Sequence, residues 1–294
     1  MRDDFCAFIL THGRADNVQT YDTLMRAGYT GKVFIVIDDE DKTEEEYRKR
    51  FGDKVLQFCK KEVAKKIDEG DNFDDRRAII YARNACWDLA RQVGCKYFIQ
   101  LDDDYKSFEI RYNSRMQFQT GTVKQNLDGI FVALLEFYLK IPAVSIALSQ
   151  GGDHIGGGES NSAGGLKSPS LRRKCMNTFI CSLDREFEFA GRINEDVNTY
   201  TSQSRRGALF FTVMQAMIIQ QSTQSNDGGM TGLYLDGGTY IKSFYSVMYA
   251  PSCVEIGQMG DPSKKNGWRI HHKINWHNCA PKIIREHCKK SNAQ

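Results

Sequence analysis

Apolar positions along the first hundred residues come in short runs divided by charged or glycine-containing breaks. Phe5–Leu10 is an unbroken apolar run of strand length, and Thr11-His12-Gly13-Arg14 reads as the turn after it. Val18, Tyr21, Leu24 and Met25 recur at helical spacing within 17–27. Residues 32–37 repeat the strand pattern and run into Asp38, Asp39 and Glu40; 43–51 predicts a charged surface helix, and Val55–Phe58 a third strand. Ile79, Ile80, Ala82, Ala85, Cys86, Leu89 and Ala90 lay an apolar stripe along a helix over 76–93, which feeds a buried strand at 97–101. Strands alternating with helices predict an α/β chain with a mostly parallel, Rossmann-like central sheet flanked by helices.

Beyond residue 105 the pattern is less regular. Residues 122–139 predict a helix, and 143–148 and 177–183 predict strands. The stretch 209–219 is apolar, and periodicity does not separate a strand from a buried helix there. Ile241–Tyr249 reads as a strand ending at Pro251, Trp268–Ile274 as another, and the tail from Lys282 as a short basic helix. The glycine-rich 151–165 lacks the spacing of a phosphate-binding loop. It reads as a loop near substrate or as a plain connector. With no repeat and no clear linker, one domain over 1–294 is expected.

Composition narrows the class without deciding it. The 294 residues, 41% hydrophobic, suffice for a large core. A net charge of +3 is too small to demand a nucleic-acid partner. Basic residues nevertheless gather in the second half, among them Arg172, Arg173, Lys174, Arg205, Arg206, Lys264 and Lys265. That distribution suits a polyanion or, equally, a solvated surface. The nine cysteines form no C-x-x-C pair and read as reduced thiols of a cytosolic protein. No apolar run is long enough to span a membrane and no leader precedes the first strand, so a soluble cytoplasmic protein is expected.

The candidate chemistry starts at Asp102, Asp103 and Asp104, at the end of the 97–101 strand. Three like charges cannot be buried together unless something positive neutralises them. Mg²⁺ or Mn²⁺ is held by one or two carboxylates plus substrate phosphate oxygens, so Asp-x-Asp here points to a metal-bound diphosphate and a nucleotide-sugar site. Thr11 to Arg14, Asp38 to Glu40 and Asp102 to Asp104 all fall at strand carboxyl ends, where ligands bind in such sheets. Arg14 suits a nucleotide or phosphate, and Asp38 and Asp39 suit ribose hydroxyls or the base; solvated strand ends are the alternative. Arg83 and Asn84 lie on the preceding helix, and the Arg83 fork suits a carboxylate or a phosphate.

A strand into Thr-x-Gly-Arg, a second into Asp-Asp, an Ala-Arg-Asn helix and a Leu-Asp-Asp-Asp end resemble a nucleotide-sugar glycosyltransferase of the GT-A fold over 5–105. Gly191-Arg-Ile-Asn-Glu-Asp-Val197 resembles the element that supplies the base in inverting members. Together with Lys242-Ser-Phe-Tyr-Ser-Val-Met-Tyr-Ala-Pro251, the ensemble resembles the phage TET-associated glycosyltransferases, which decorate hydroxymethylated pyrimidines in DNA.

The resemblance implies a nucleotide-sugar-binding half, 1–110, with Thr11, Gly13, Arg14, Asp38, Asp39, Arg83, Asn84 and Asp102 to Asp104 on the donor. Residues 111–294 would be the acceptor-binding half. Asp102 and Asp104 would hold Mn²⁺ or Mg²⁺ and the diphosphate of UDP-glucose or UDP-N-acetylglucosamine. Asp196, or else Glu195, would be the general base for an inverting transfer to 5-hydroxymethylcytosine or another hydroxymethylpyrimidine. Helix capping is the plainer role for the same two acids. A late histidine often joins the metal sphere in this fold; His271, His272 and His277 are available, and His272 is preferred. The spacing of His277, Cys279, His287 and Cys288 matches no zinc finger.

For DNA, Arg172, Arg173, Arg205, Arg206, Lys264 and Lys265 would meet phosphates. Tyr245 and Trp268, with Phe244, Tyr249 and Trp276, would meet bases. The location implied is the cytoplasm, that of an infected host if the chain is phage-encoded. A protein or polysaccharide acceptor, or a relative that binds nucleotide or DNA without turnover, are the competing readings.

Overall fold

A run such as Phe-Cys-Ala-Phe-Ile-Leu offers no polar face to water and needs cover on both sides. The computed structural model describes residues 1–71, 73–115, 117–150, 173–221, 238, 240–260 and 268–283. In it this run is β1 (Phe5–Leu10), buried throughout between the parallel strands β2 (Lys32–Asp38) and β4 (Tyr97–Asp102). β3 (Val55–Phe58) continues the parallel set outside β2. The second half adds β5 (Tyr105–Tyr112), β6 (Phe118–Thr122), β7 (Ala143–Gln150), β8 (Phe179–Ser182) and β9 (Leu209–Gln220) to the same sheet. The order is β3-β2-β1-β4-β8-β7-β9-β5-β6. Only β8 and β5 oppose the common direction, so seven of the nine strands point one way. The mostly parallel α/β sheet expected from the strand–helix alternation is present.

Because side chains alternate across a strand, β1 feeds two cores. Phe5, Ala7 and Ile9 pack with Leu24 of α1 (Gln19–Arg26), with Tyr47 and Phe51 of α2 (Glu44–Phe51), and with Phe131, Leu135 and Tyr138 of α5 (Leu127–Lys140). Cys6, Phe8 and Leu10 pack on the other side. There they meet α3 (Lys60–Ala64), α4 (Ile80–Gln92) through Ile80, Trp87 and Leu89, and α6 (Glu195–Ser204) through Val197 and Tyr200. Each fully buried Phe or Leu here is worth about 1.5–3 kcal/mol relative to exposure. Register sets the site: Leu10 pairs with Asp102 and with Val36, which brings the carboxyl ends of three strands to one edge.

Several expectations change. The hairpin β5–β6 was not legible, since Tyr-Lys-Ser-Phe-Glu-Ile-Arg-Tyr mixes faces and β6 is exposed along its length. The apolar stretch 209–219 is a strand, because β7 and β5 flank it on both edges. Ile241–Tyr249 is not a strand but a helix, α7, and its buried residues are Ser243, Tyr245 and Ser246. Ser246 Oγ donates to Asn198 Oδ1 (2.9 Å) and accepts from Asn194 Nδ2 (2.6 Å). A helix whose buried face is Ser243, Tyr245 and Ser246 carries no apolar period, so the pattern misled. Beyond α7, β10 (Val254–Gly260) pairs with β11 (Trp268–Ile274) as a separate hairpin, and α8 (Trp276–Cys279) follows. The glycine-rich 151–165, Arg172, Lys264, Lys265, His287, Cys288 and nearly all of the expected tail helix lie outside the described residues. Among the described residues, no helix is long and apolar enough to cross a membrane.

Gly28 ends α1 at φ +80°, and a Cβ there would stand 2.7 Å from the Gln125 carbonyl, on the segment leading to α5. Gly28→Ala is therefore expected to cost about 1–3 kcal/mol, read as a lower urea midpoint. An unchanged midpoint would show that this junction gives way freely.

Candidate active site

The turn after β4 is held at its backbone by the hydroxyls of Thr20 and Tyr105. Thr20 of α1 accepts the Tyr105 N–H with its Oγ1 (2.9 Å) and donates that hydroxyl to the Asp102 carbonyl (2.6 Å); the Thr20 N–H donates to the Asp103 carbonyl (3.0 Å). The buried Tyr105 hydroxyl accepts the Asp102 N–H (3.1 Å) and donates to the Asn177 carbonyl (3.0 Å). The three aspartates are thus fixed in different directions.

Asp103 turns inward. It is 5% exposed and accepts from Thr11 Oγ1 (2.7 Å) and Arg14 Nη1 (3.0 Å). The Tyr47 hydroxyl joins them, 2.9 Å from Thr11 Oγ1 and accepting the Arg14 N–H at 2.9 Å. Asp102 accepts from Arg83 Nη2 (3.0 Å). Arg83, 2% exposed, also donates Nε to Glu195 (2.8 Å) and lies over the rings of Phe179 and Phe189. Asp104 Oδ1 is buried without a hydrogen-bond partner.

Five carboxylates (Asp102, Asp103, Asp104, Glu195 and Asp196) thus share a region with two paired guanidiniums, Arg83 and Arg14. Burial pushes the Asp102 carboxyl up to about 7; Arg83 opposes this, while Asp104, Glu195 and Asp103 add to it. Burial, then Asp103, raises Asp104 to about 6. Asp196, 9% exposed, is raised by burial and by Glu195 against Arg83 and Lys174. Burial works against the Arg83 charge, but Asp102 and Glu195 outweigh it and its pKa rises.

This arrangement fits a divalent cation. Asp104 keeps an unpartnered buried oxygen, and Asp102 shares its one cation, Arg83, with Glu195. Among the described residues, no group of three or more His, Cys, Asp or Glu is placed to hold a metal. A Mg²⁺-type site needs only one or two carboxylates acting with substrate phosphates.

The other expected residues divide. Asp38 is 4% exposed and bound to His12 Nδ1 (2.8 Å) and Lys60 Nζ (3.0 Å). Burial raises its pKa, but His12 and Lys60 outweigh that and leave it below the usual range. Asp39 accepts the Lys60 N–H (2.8 Å), and the Gly13 N–H donates to Asp41 (2.8 Å). His12, Lys60 and Asp41 were not singled out from sequence, although each falls at a strand carboxyl end, which was the available signal.

Asn84 does not belong with the donor residues. Its amide donates to the Ile80 and Phe189 carbonyls and accepts the Phe189 N–H, so it brackets the chain before α6. His272 does not fit a metal ligand as placed. It is buried, and its Nε2 meets Lys174 Nζ at 2.7 Å. Burial, then Lys174, lowers its pKa to about 2. As placed, Nε2 is taken by Lys174, while Nδ1 is buried without a hydrogen-bond partner.

Glu195 and Asp196 open α6, where Asp196 Oδ1 accepts the Val197 N–H (2.7 Å) and Glu195 accepts from Arg83; the N-cap itself is Asn194. Arg205 and Arg206 are exposed, Arg173 is half-buried, and Trp268 is 55% exposed on β11. Tyr245 is no stacking platform: it is 8% exposed and donates its hydroxyl to Asp71.

A family model described as TET-Associated Glycosyltransferase matches residues 5–229. The chain belongs to this family. It is a glycosyltransferase. The matched span contains Thr11 to Arg14, Asp102 to Asp104 and Glu195–Asp196, and ends before α7 and the β10–β11 hairpin. A sequence comparison with curated proteins found no match.

Solved structures similar in shape include two of glucosyl-3-phosphoglycerate synthase from Mycobacterium tuberculosis. One is in complex with Mn²⁺, UDP and glucosyl-3-phosphoglycerate (8% identity, 92% of this chain and 88% of that one, TM-score 0.46). The other is in complex with Mn²⁺, UDP and phosphoglyceric acid (10%, 92% and 87%, 0.44). A mycobacterial protein is also similar (9%, 92% and 84%, 0.43). Likeness at this level fixes neither a ligand nor a residue role.

Two outcomes follow from the charge arrangement. Arg83→Met leaves Asp102 and Glu195 without their cation and is expected to lower stability by about 3–5 kcal/mol in denaturant titration. A carboxyl raised in the folded state takes up protons there first, so metal-free stability falls as pH rises from about 4 to about 7. A bound cation removes that loss. Mn²⁺ should therefore raise the melting temperature more at about pH 7.5 than at about pH 5; equal shifts would count against Asp102 and Asp104 as the cation site.

Proposed function

We propose that the chain transfers a sugar, glucose or N-acetylglucosamine, from a UDP donor to 5-hydroxymethylcytosine or another hydroxymethylpyrimidine in DNA, with a divalent cation and with inversion. The observation that carries this reading is the under-neutralised pair Asp102 and Asp104 on one side of Arg83, with Glu195 and Asp196 on the other. One guanidinium links a diphosphate-binding end to an acid-rich helix start.

On the donor side, Thr11, Gly13, Arg14, Asp38 and Asp39 line the strand ends where the nucleotide would sit. Mn²⁺ or Mg²⁺ held by Asp102 and Asp104 would supply Lewis-acid neutralisation of the departing diphosphate. Arg83 keeps Asp102 and Glu195 oriented and screens their repulsion.

Asp196 is the base. Its burial beside Glu195 raises its basicity, as a proton acceptor working near neutral pH requires. It takes the hydroxymethyl proton as that oxygen forms its bond to the anomeric carbon. The bond from that carbon to the diphosphate oxygen breaks, and the electron pair leaves with UDP. In-line displacement inverts the centre. The DNA acceptor rests on family membership, with the exposed Arg205, Arg206 and Trp268 as candidate contacts.

Hydroxymethylated DNA, UDP-glucose or UDP-N-acetylglucosamine and Mn²⁺, followed by nucleoside mass spectrometry, should yield a hexosyl or N-acetylhexosaminyl pyrimidine. Asp196→Asn should lower the rate by about 10²–10⁴-fold while keeping donor affinity. Transfer to a protein or glycan but not to DNA would replace the acceptor. Donor binding without transfer or hydrolysis would replace the enzymatic reading.

A further inference from the structure

The turn that delivers Glu195 and Asp196 is held from within α6 by Asn198, whose Nδ2 donates to the Ala190 and Ile193 carbonyls, and by Thr199 Oγ1, which accepts the Ala190 N–H. Gly191 and Asn194 both take positive φ (+79° and +61°), and Asn194 makes no side-chain cap on α6. The first helical turn is also tied from outside, by Arg83 at Glu195 and by two further segments. One is α7, through the Asn194–Ser246 bond. The other is the segment between α3 and α4. There the Gly191 and Arg192 N–H groups donate to the carbonyls of Asp68 (2.7 Å) and Glu69 (2.9 Å).

Asp71 then gathers the side chains. Its Oδ2 accepts from Arg192 Nε (2.6 Å) and from the Tyr245 hydroxyl of α7. Arg192 is 3% exposed, and its charge is matched by Asp71 at 2.6 Å and by Asp75 at 3.5 Å. Five residues beyond Asp71, Arg76 Nε donates to Glu40 (2.8 Å), beside Lys60 and Asp38 on the nucleotide side. One segment is thus fastened to the donor edge and to the start of α6.

We infer that Asp71, Arg192 and Tyr245 are positioning residues, which set where the first turn of α6 presents Glu195 and Asp196 to the reacting oxygen. The inference rests on Asp196 as the base. Its physical ground is that small displacements of a catalytic group are costly: a misplacement of about 1 Å lowers rate about 10²-fold.

The test compares the full-length wild type with Tyr245→Phe, which removes one hydroxyl, with Asp71→Asn, and with Asp196→Asn as reference. Measured are kcat and donor KM for transfer to hydroxymethylated DNA, UDP affinity with Mn²⁺, and hydrogen exchange of peptides spanning 189–198. Tyr245→Phe and Asp71→Asn should lower kcat at least about tenfold, leave donor KM and UDP affinity near wild type, and speed exchange in that span. Unchanged kcat, unchanged exchange, or a kcat loss matched by an equal loss of donor affinity would overturn the positioning role. If Asp196→Asn transfers as well as wild type, or wild type transfers nothing, the base reading fails and this role falls with it. Loss in Asp196→Asn beside a fully active Tyr245→Phe would overturn the positioning role alone.

Discussion

Arg83 is the constraint around which the rest of the site is arranged. A guanidinium this deeply buried persists only if its charge is matched and its donors are used. Here Asp102 at the end of β4 and Glu195 at the start of α6 match it, and the Phe179 and Phe189 faces cover its plane. Gln100 braces the same residue, donating Nε2 to the Arg83 carbonyl at 3.0 Å. Because the guanidinium is planar and its nitrogens lie at fixed angles, the two carboxylates it binds are held at a set separation. The element proposed to grip the cation and the one proposed to carry the base are therefore not independent parts.

Sharing one cation leaves negative charge over. The chain spends Arg14 and Thr11 on Asp103 and nothing comparable on Asp104. The middle aspartate is thus a structural pin that ties the β4 turn to the β1 turn, while its two neighbours remain as the under-compensated pair. Such a site works against the stability of the ligand-free chain, a cost commonly found where function demands a perturbed group.

The second half does different physical work. It completes the sheet with β5 to β9, and it supplies α6, α7 and the β10–β11 hairpin, where polar residues do the packing. Ser243 and Ser246 of α7 are buried while Tyr240, Phe244 and Met248 of the same region are exposed. Lys174 and His272 bond to each other at the edge of the acid cluster, and Asp71, Arg192 and Tyr245 join three separate segments. These contacts place side chains through hydrogen bonds and ion pairs, whose geometry is stricter than that of apolar contact.

The sequence by itself determined β1 to β4, the helices α1, α2 and α4 between them, and the strand ends at Thr11, Asp38 and Asp102. A parallel strand buried on both faces must be a short apolar run, and ligand chemistry in such a sheet gathers where those runs stop. It also marked Asp102 to Asp104 and Glu195–Asp196, since clustered acids stand out wherever they fall. Only the tertiary structure decided what each polar residue does. Arg83 finds Glu195 across 112 positions, Asn84 spends itself on the Phe189 backbone, Tyr245 goes to Asp71, and His272 is taken by Lys174. Apolar burial repeats with the period of its own helix or strand and can be read locally. A polar partner is set by which segments the fold brings within about 3 Å, and no local pattern records that.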